Sequence, residues 1–436
     1  MNKYKLIIIL LIGTVSGILL CNCTKENEEE FPANVSFPQI DLSASGQIPI
    51  LAWYSVYGFE TTLKNYQDIK DAGFTHNLSF PRGENDIARS FEYARQVGLK
   101  ILLYVDRSWT SEEEVTERVN RYKDHPALFG YYVYDEPSPG QFPEVAEAVK
   151  FVQDLDRQHP CYVNMYPNIQ NPFYREYVDN FIKTVPVPFL SFDHYPVMGR
   201  DDVSPVRHLR PEWYENLEII SEASRKAGKP FWAFALSTAH TGKIGNDPVS
   251  VHPIPTLADL RLQVYSNLAY GAQGIQYFTY FTPTGEGDTF HDGPFYKGSK
   301  TKTYYTVKEM NAEIRALSGV FFDSNVLAVF HAGDVIPKGT RKLDPDKTPP
   351  LTPFSSIETE GKGAVVSFLE KENIRFMVVV NRDLTGTMKL NVALKKNAVV
   401  RKVLKTGVVE NQNMPGSYTA EVDPGDVVIF AYPQIK

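Results

Sequence analysis

The chain has 436 residues, 43% of them hydrophobic and 22% charged, and a formal net charge of −7. That is an ordinary globular composition, and the length predicts one large domain and one smaller one. The acidic balance supplies no basic field for phosphates, which argues against nucleic acid as a partner and leaves neutral or weakly charged small ligands.

At the N-terminus, MNKYK is a short basic region, LIIILLIGTVSGILL is an apolar stretch of signal-peptide length, and CNCTKENEEE follows. This pattern predicts an export signal. It resembles a bacterial lipoprotein signal, in which the cysteine after the apolar stretch is lipidated and becomes the mature N-terminus. Cys23, with Leu20 three residues before it and an acidic run after it, is the expected lipidation site, and Cys21 is the competitor. Residues 1–23 are then the signal and 24–46 a linker. The protein is expected outside the cell's inner compartment, anchored by lipid to the outer membrane, at the surface or facing the periplasm. An ordinary cleaved signal or an uncleaved anchor is the alternative. Cys161 is the remaining cysteine, so the folded body has no internal disulfide.

Residues 47–320 repeat one unit: a short apolar strand, an amphipathic helix and a Gly or Pro break. The strands are IPILAWYSV, THNLSF, KILLYVD, LFGYYVYDE, CYVNMYP, FLSFDHYP, PFWAFALS and GIQYFTYF. Segments such as TTLKNYQDIKDAGF, SEEEVTERVNRYKDH and WYENLEIISEASRKAGK carry apolar residues at helical spacing between them. Alternating strands and helices predict a parallel sheet, and eight such units predict an α/β fold, a (β/α)8 barrel. Residues 321–436 change to short runs of period two, among them AVVSFLE, IRFMVVVNRD and DVVIFAY. They predict an antiparallel β-sandwich, with a Pro and Lys rich surface loop from Pro337 to Pro353.

Barrel chemistry sits at the C-terminal ends of the strands. In strand order those ends carry Trp53 and Tyr54; Asn77; Asp106, with Arg107 and Trp109 after it; Asp135 and Glu136; Asn164 and Tyr166; Asp193, His194 and Tyr195; Ser237, Thr238 and His240; and Tyr280 and Thr282. The loop after the last strand adds Glu286, Asp288, His291 and Asp292. Acids and aromatics on one rim suit a carbohydrate: carboxylates move protons and bind hydroxyls, and rings stack on sugar faces. Some of these residues also have a purely structural reading. Asp106 before RSWTSEEE would serve as a helix cap, and His194 would serve as a satisfied core histidine.

The order GYYVYDEP, FLSFDHYP, KPFW and YGAQGIQYF, followed by MVVVNR and PGDVVIF, resembles clan A glycoside hydrolases, particularly TIM-barrel β-galactosidases with C-terminal β domains. The resemblance implies an O-glycosyl hydrolase of a poly- or oligosaccharide, with an Asn-Glu pair on strand four holding the general acid/base and a glutamate on strand seven as nucleophile. Glu136 matches the first. Asp135 stands where the clan has Asn, and PFWAFALSTAH has no carboxylate for the second. Three readings follow. A hydrolase takes its second carboxylate elsewhere, with Asp193 first and Asp106 or Glu286 behind it; a spacing of about 6.5 to 9.5 Å would then admit a water and predict inversion. A barrel without catalysis would be a surface glycan-binding lipoprotein. A lyase or metal-dependent hydrolase would use Asp193, His194 and His240. No cofactor and no metal is expected, because these histidines lie on different strands with no paired motif. On a regular strand Asp135 and Glu136 point to opposite faces, which predicts Glu136 toward the barrel axis and Asp135 toward a neighbouring helix or loop.

Overall fold

The computed structural model describes residues 30–435 except 40, 43–45, 82, 201–203, 245–246, 286–288 and 345–351. The signal segment with Cys23, and the loop acids Glu286 and Asp288, lie outside the described residues.

The barrel strands are β1 (Ile50–Trp53), β2 (His76–Asn77), β3 (Lys100–Tyr104), β4 (Leu128–Asp135), β5 (Cys161–Asn164), β6 (Leu190–Phe192), β7 (Phe231–Leu236) and β8 (Gly274–Phe278). They pair in the order 5-4-3-2-1-8-7-6, every pair parallel. A parallel bridge between Met165 and Phe192 joins the two outermost strands, with Met165 N–H donating to the Ser191 carbonyl at 2.8 Å, and closes the barrel. The helices are α1 (Leu63–Asp71), α2 (Glu84–Val97), α3 (Glu112–Tyr122), α4 (Phe142–Leu155), α5 (Tyr174–Thr184), α6 (Trp213–Ala227), α7 (Leu257–Ala269) and α8 (Lys302–Phe321).

Local chemistry fixes where these helices begin and end. Ser111 and Glu114 form a reciprocal capping box at the start of α3, and Thr256 and Asp259 repeat it at α7. Gly98 and Gly228 end α2 and α6 in the left-handed conformation that glycine adopts without penalty. Period-two strands then divide their side chains between two cores. Ile50 and Ala52 face the helices, while Leu51 and Trp53 face the barrel axis with Leu78, Leu102, Tyr132, Tyr162, Trp232 and Phe234. The interior is therefore packed with aromatic and aliphatic side chains up to the C-terminal rim. Cys161 is a buried free thiol on the helix-facing side of β5.

Beyond α8, a sheet built on Asn325–Ala332, Ala364–Lys371, Ile374–Asn381, Val427–Pro433 and Arg401–Val403 stands with a sheet built on Phe354–Glu358, Met388–Leu394 and Ser417–Val422. Phe330, Phe368, Met377, Leu390 and Phe430 belong to the shared core. Ser367 Oγ donates to the Ala269 carbonyl at 2.7 Å, tying this domain to the end of α7. The described part of the expected linker is fixed rather than free. Phe31 is 2% exposed and its N–H donates to the Lys396 carbonyl at 3.0 Å, and the Arg401 guanidinium stands 4.2 Å from the Phe37 ring.

Candidate active site

Strand β4 delivers two acids to one place by breaking its own alternation. With Tyr132 facing the axis, a regular strand would send Tyr134 and Glu136 inward and Asp135 outward. The β4–β5 register shifts between Tyr132 and Tyr134. Tyr134 thereby packs on the outer core, where its hydroxyl accepts from Gln141 Nε2 at 2.5 Å. Asp135 then faces inward, paired with Asn164. Glu136 follows in the left-handed region with φ +47°, uncommon for a residue with a side chain, and its N–H donates to the Asn164 carbonyl at 2.8 Å. Both carboxyls consequently line one cavity, and the expectation that Asp135 turns toward a helix is corrected by this register shift.

The cavity measures about 300 Å³. Its polar side holds Asp135, Glu136, Asn164, Asp193 and Tyr195; its apolar side holds Trp53, Phe234, Leu236, Phe278 and Phe290. His240 and His252 complete the wall from the paired strands Ala239–Ile244 and Asp247–His252, with His240 stacked on Phe290 at 4.3 Å. Among the described lining residues there is no lysine or arginine.

A buried network orients the polar side. Tyr162 OH donates to Gln276 Oε1 at 2.7 Å, Gln276 Nε2 donates to Ser191 Oγ at 2.9 Å, and Ser191 Oγ donates to Asn164 Oδ1 at 2.8 Å. With its oxygen so engaged, Asn164 presents Nδ2 to Asp193 Oδ1 at 3.1 Å. The carboxyls of Asp193 and Glu136 are close enough to act on each other, and the Tyr195 hydroxyl stands beside Asp193. Carboxyls in such proximity are unlike the widely separated, inverting pair expected of Glu136 and Asp193.

Three acids without a cation hold protons tightly. Burial first, and then the Glu136 charge, raise Asp135 to about 7, with Asn164 and Tyr132 moderating the rise by hydrogen bonding. Burial raises Glu136. Burial and the charges of Glu136 and Asp135 push Asp193 well above the usual carboxylate range. Glu136 and Asp193 titrate as an interacting pair, with Asp193 the member pushed further up. Asp135 Oδ1 is buried and has no hydrogen-bond partner.

Several predicted site residues lie elsewhere. His194, 1% exposed, points to the helix layer, where its Nδ1 meets Asn216 Oδ1 at 3.1 Å; burial lowers its pKa to about 3. Tyr280 is fully buried against Phe74 and Phe295 in the outer core. Tyr166 stacks on Tyr177 at 4.0 Å, and Trp109 is 83% exposed on the loop before α3; neither lines the cavity. Tyr54 packs one ring away from the lining, on Phe80 and Phe281. Asp106 Oδ1 accepts from Ser108 N–H at 2.8 Å and shapes its own loop, while Ser111 caps α3. Ser237 and Thr238 hydroxyls both reach the Thr279 carbonyl, at 2.9 and 3.3 Å. The cavity adds Phe234, Leu236, Phe278, His252 and Phe290 to the predicted set. Alternation along WAFAL carries Phe234 and Leu236, whereas His252 and Phe290 come from strands that no strand-end reading covers.

Residues 144–317 match the family model for glycoside hydrolase family 42, β-galactosidase. The match begins beyond Glu136. No curated protein matches the chain. A catalytic mutant of a family 42 β-galactosidase from G. stearothermophilus is 10% identical over 88% of this chain and 98% of its own, at TM-score 0.58. A family 5 glycoside hydrolase from Bacteroides vulgatus is 13% identical over 89% of each chain, at TM-score 0.52. The chain spans 60% of the length of a β-galactosidase from the psychrophilic Marinomonas ef1, which covers 62% of it at 11% identity and TM-score 0.46. The fold is that of the TIM-barrel glycoside hydrolases, and residues 144–317 are similar to the family 42 β-galactosidases.

Proposed function

We propose that the protein hydrolyses an O-glycosidic bond of a neutral poly- or oligosaccharide in the cavity at the C-terminal rim, with Glu136 as general acid and base and Asp193 as the atypical second carboxylate. The carrying observation is that those two carboxyls stand together in a cavity walled by aromatic rings and lacking a cation among its described lining residues. Such a pair holds a proton near neutral pH, and Glu136, the more exposed member, is the one to deliver it to a leaving oxygen. Asp193 serves as its proton partner. The aromatic wall supplies faces for a sugar ring.

The missing carboxylate on β7 supports a second reading, a glycan-binding barrel without turnover. A panel of neutral oligosaccharides that follows both binding and product release separates the two. Release of a reducing sugar from at least one bound glycan is expected, and binding without product across the panel would favour the second reading.

The signal-like segment supports a further proposal, that Cys23 carries lipid and anchors the protein at the outer membrane. Mass spectrometry of membrane-extracted protein is expected to find a diacylated N-terminal cysteine, and an unmodified mature N-terminus would refute it.

A further inference from the structure

We infer that the cavity is built for β-glycosides of 2-acetamido sugars, with the substrate's own acetamide oxygen as the nucleophile that β7 lacks and Asp135 as the group that holds the acetamide N–H. This rests on the hydrolase reading above.

The end of β7 offers nothing to attack a sugar. Leu236 faces the cavity there, and the hydroxyls of Ser237 and Thr238 are engaged with Thr279. Asp193 stands beside Glu136, close enough for the two carboxyls to act on each other, and so does not take the opposite side of the sugar. Among the described residues nothing then stands opposite Glu136 to attack the sugar, and a retaining reaction draws its nucleophile from the substrate.

Asp135 is the residue fitted to that task. Its Oδ1 is buried, unpartnered and part of the cavity wall, one residue from the acid. In its ionised form this carboxyl only accepts, so in that form it is satisfied by a ligand that brings a donor. An aspartate suits an N–H, and more so as the amide gains positive charge during attack. Burial beside Glu136 makes the unliganded carboxylate costly, so a donor from the substrate relieves a penalty already present. Trp53, Phe234 and Phe278 provide an apolar seat for the acetyl methyl.

The steps balance. The acetamide oxygen bonds to C1 from the face opposite the aglycone, the C1–O bond to the aglycone breaks, and Glu136 gives its proton to the departing oxygen. The amide proton stays on, or passes along, its hydrogen bond to Asp135, leaving a bicyclic oxazoline or its conjugate acid. Water then bonds to C1, its proton goes to the Glu136 carboxylate, the C1–O bond of the ring breaks, and the proton that Asp135 took returns to the nitrogen to restore the acetamide. One glycoside and one water become one alcohol and one hemiacetal of unchanged configuration, and no other reactant is needed.

The test uses the full-length protein and nitrophenyl β-glycosides of N-acetylglucosamine and N-acetylgalactosamine beside the matched 2-hydroxy sugars. Intramolecular attack predicts a kcat/KM advantage of roughly a hundredfold or more for the acetamides. The rate is expected to fall stepwise from acetyl to fluoroacetyl to trifluoroacetyl as the carbonyl oxygen loses basicity, and the first product seen by NMR is the β-anomer. Asp135→Ala should lower kcat/KM for the acetamides by a larger factor than for the 2-hydroxy sugars, and so remove most of the acetamide advantage. Equal or faster cleavage of the 2-hydroxy sugars, or a rate indifferent to fluorination, would overturn the inference and leave the hydrolase reading intact. No product from either series or from the oligosaccharide panel would overturn both.

Discussion

Glu136→Gln is expected to slow hydrolysis of an unactivated glycan by about two to four orders of magnitude while leaving the fold and glycan binding in place. Glutamine keeps the length and planarity of the side chain, and its amide can still donate to Asp193, so the left-handed turn at residue 136 and the cavity wall lose little. What it cannot do is release a proton. In this site the acid's strength is set by burial and by the Asp193 carboxyl beside it, neither of which an amide can exploit. The loss should shrink for aryl glycosides whose leaving groups need little protonation, so the ratio of mutant effects on natural and activated substrates is the informative readout. Wild-type rates on a natural glycan would reject Glu136 as the acid, and the Asp135–Glu136 pair would then have to be read as part of a binding surface.

How far the sequence reaches differs between scaffold and site. Strands at a regular interval, each followed by an amphipathic helix, leave one compact closed solution, and the switch to period two after α8 marks the second domain. Side-chain direction at the rim depends on more than spacing. Simple alternation places Asp193 and Tyr195 inward and His194 outward, as observed. The same rule fails on β4, because the register shift against β5 is a property of two strands and leaves no mark in one. It fails again at Tyr280, where the chain leaves β8 after Phe278 and Tyr280 packs into the outer core. His252 and Phe290 reach the cavity from antiparallel strands in the loops, whose pairing partners are distant in sequence. The missing carboxylate on β7, by contrast, is legible from PFWAFALSTAH alone, since no fold can supply a side chain that the strand lacks.

Asp193→Asn is expected to act on rate and stability in opposite directions. Asp193 is faced by Glu136 and Asp135 from β4 and by Asn164 from β5, with Tyr195 beside it and the neutral ring of His252, whose pKa burial lowers to about 4, across the cavity. The Asp193 carboxyl lowers Glu136 only while it keeps its own proton; an amide at 193 donates at every pH and never becomes a second negative charge, which favours the Glu136 carboxylate. Glu136 should then ionise at lower pH, and the basic limb of kcat/KM should move to lower pH, with a loss of roughly tenfold or more near neutrality where the acid form is depleted. Stability follows the opposite sign. A carboxyl whose folded pKa lies above its unfolded value makes the native state bind more protons, so its contribution is intact below the unfolded pKa and is lost as pH rises through the folded one. For Asp135 that window runs from 3.8 to about 7, and Asp193 lies well above its ordinary value in the same sense. The wild-type protein should therefore lose Tm as pH rises from about 4 to 8, and the variant should lose less, because it carries one fewer buried acid and lets Asp135 ionise against a weaker field. Thermal unfolding at the two ends of that range checks this. The expected result is near-equal Tm values at the acid end and a variant several degrees more stable at the alkaline end. A variant less stable at pH 8 than at pH 4, relative to wild type, would mean that Asp193 is stabilised as an anion and does not keep its proton beside Glu136.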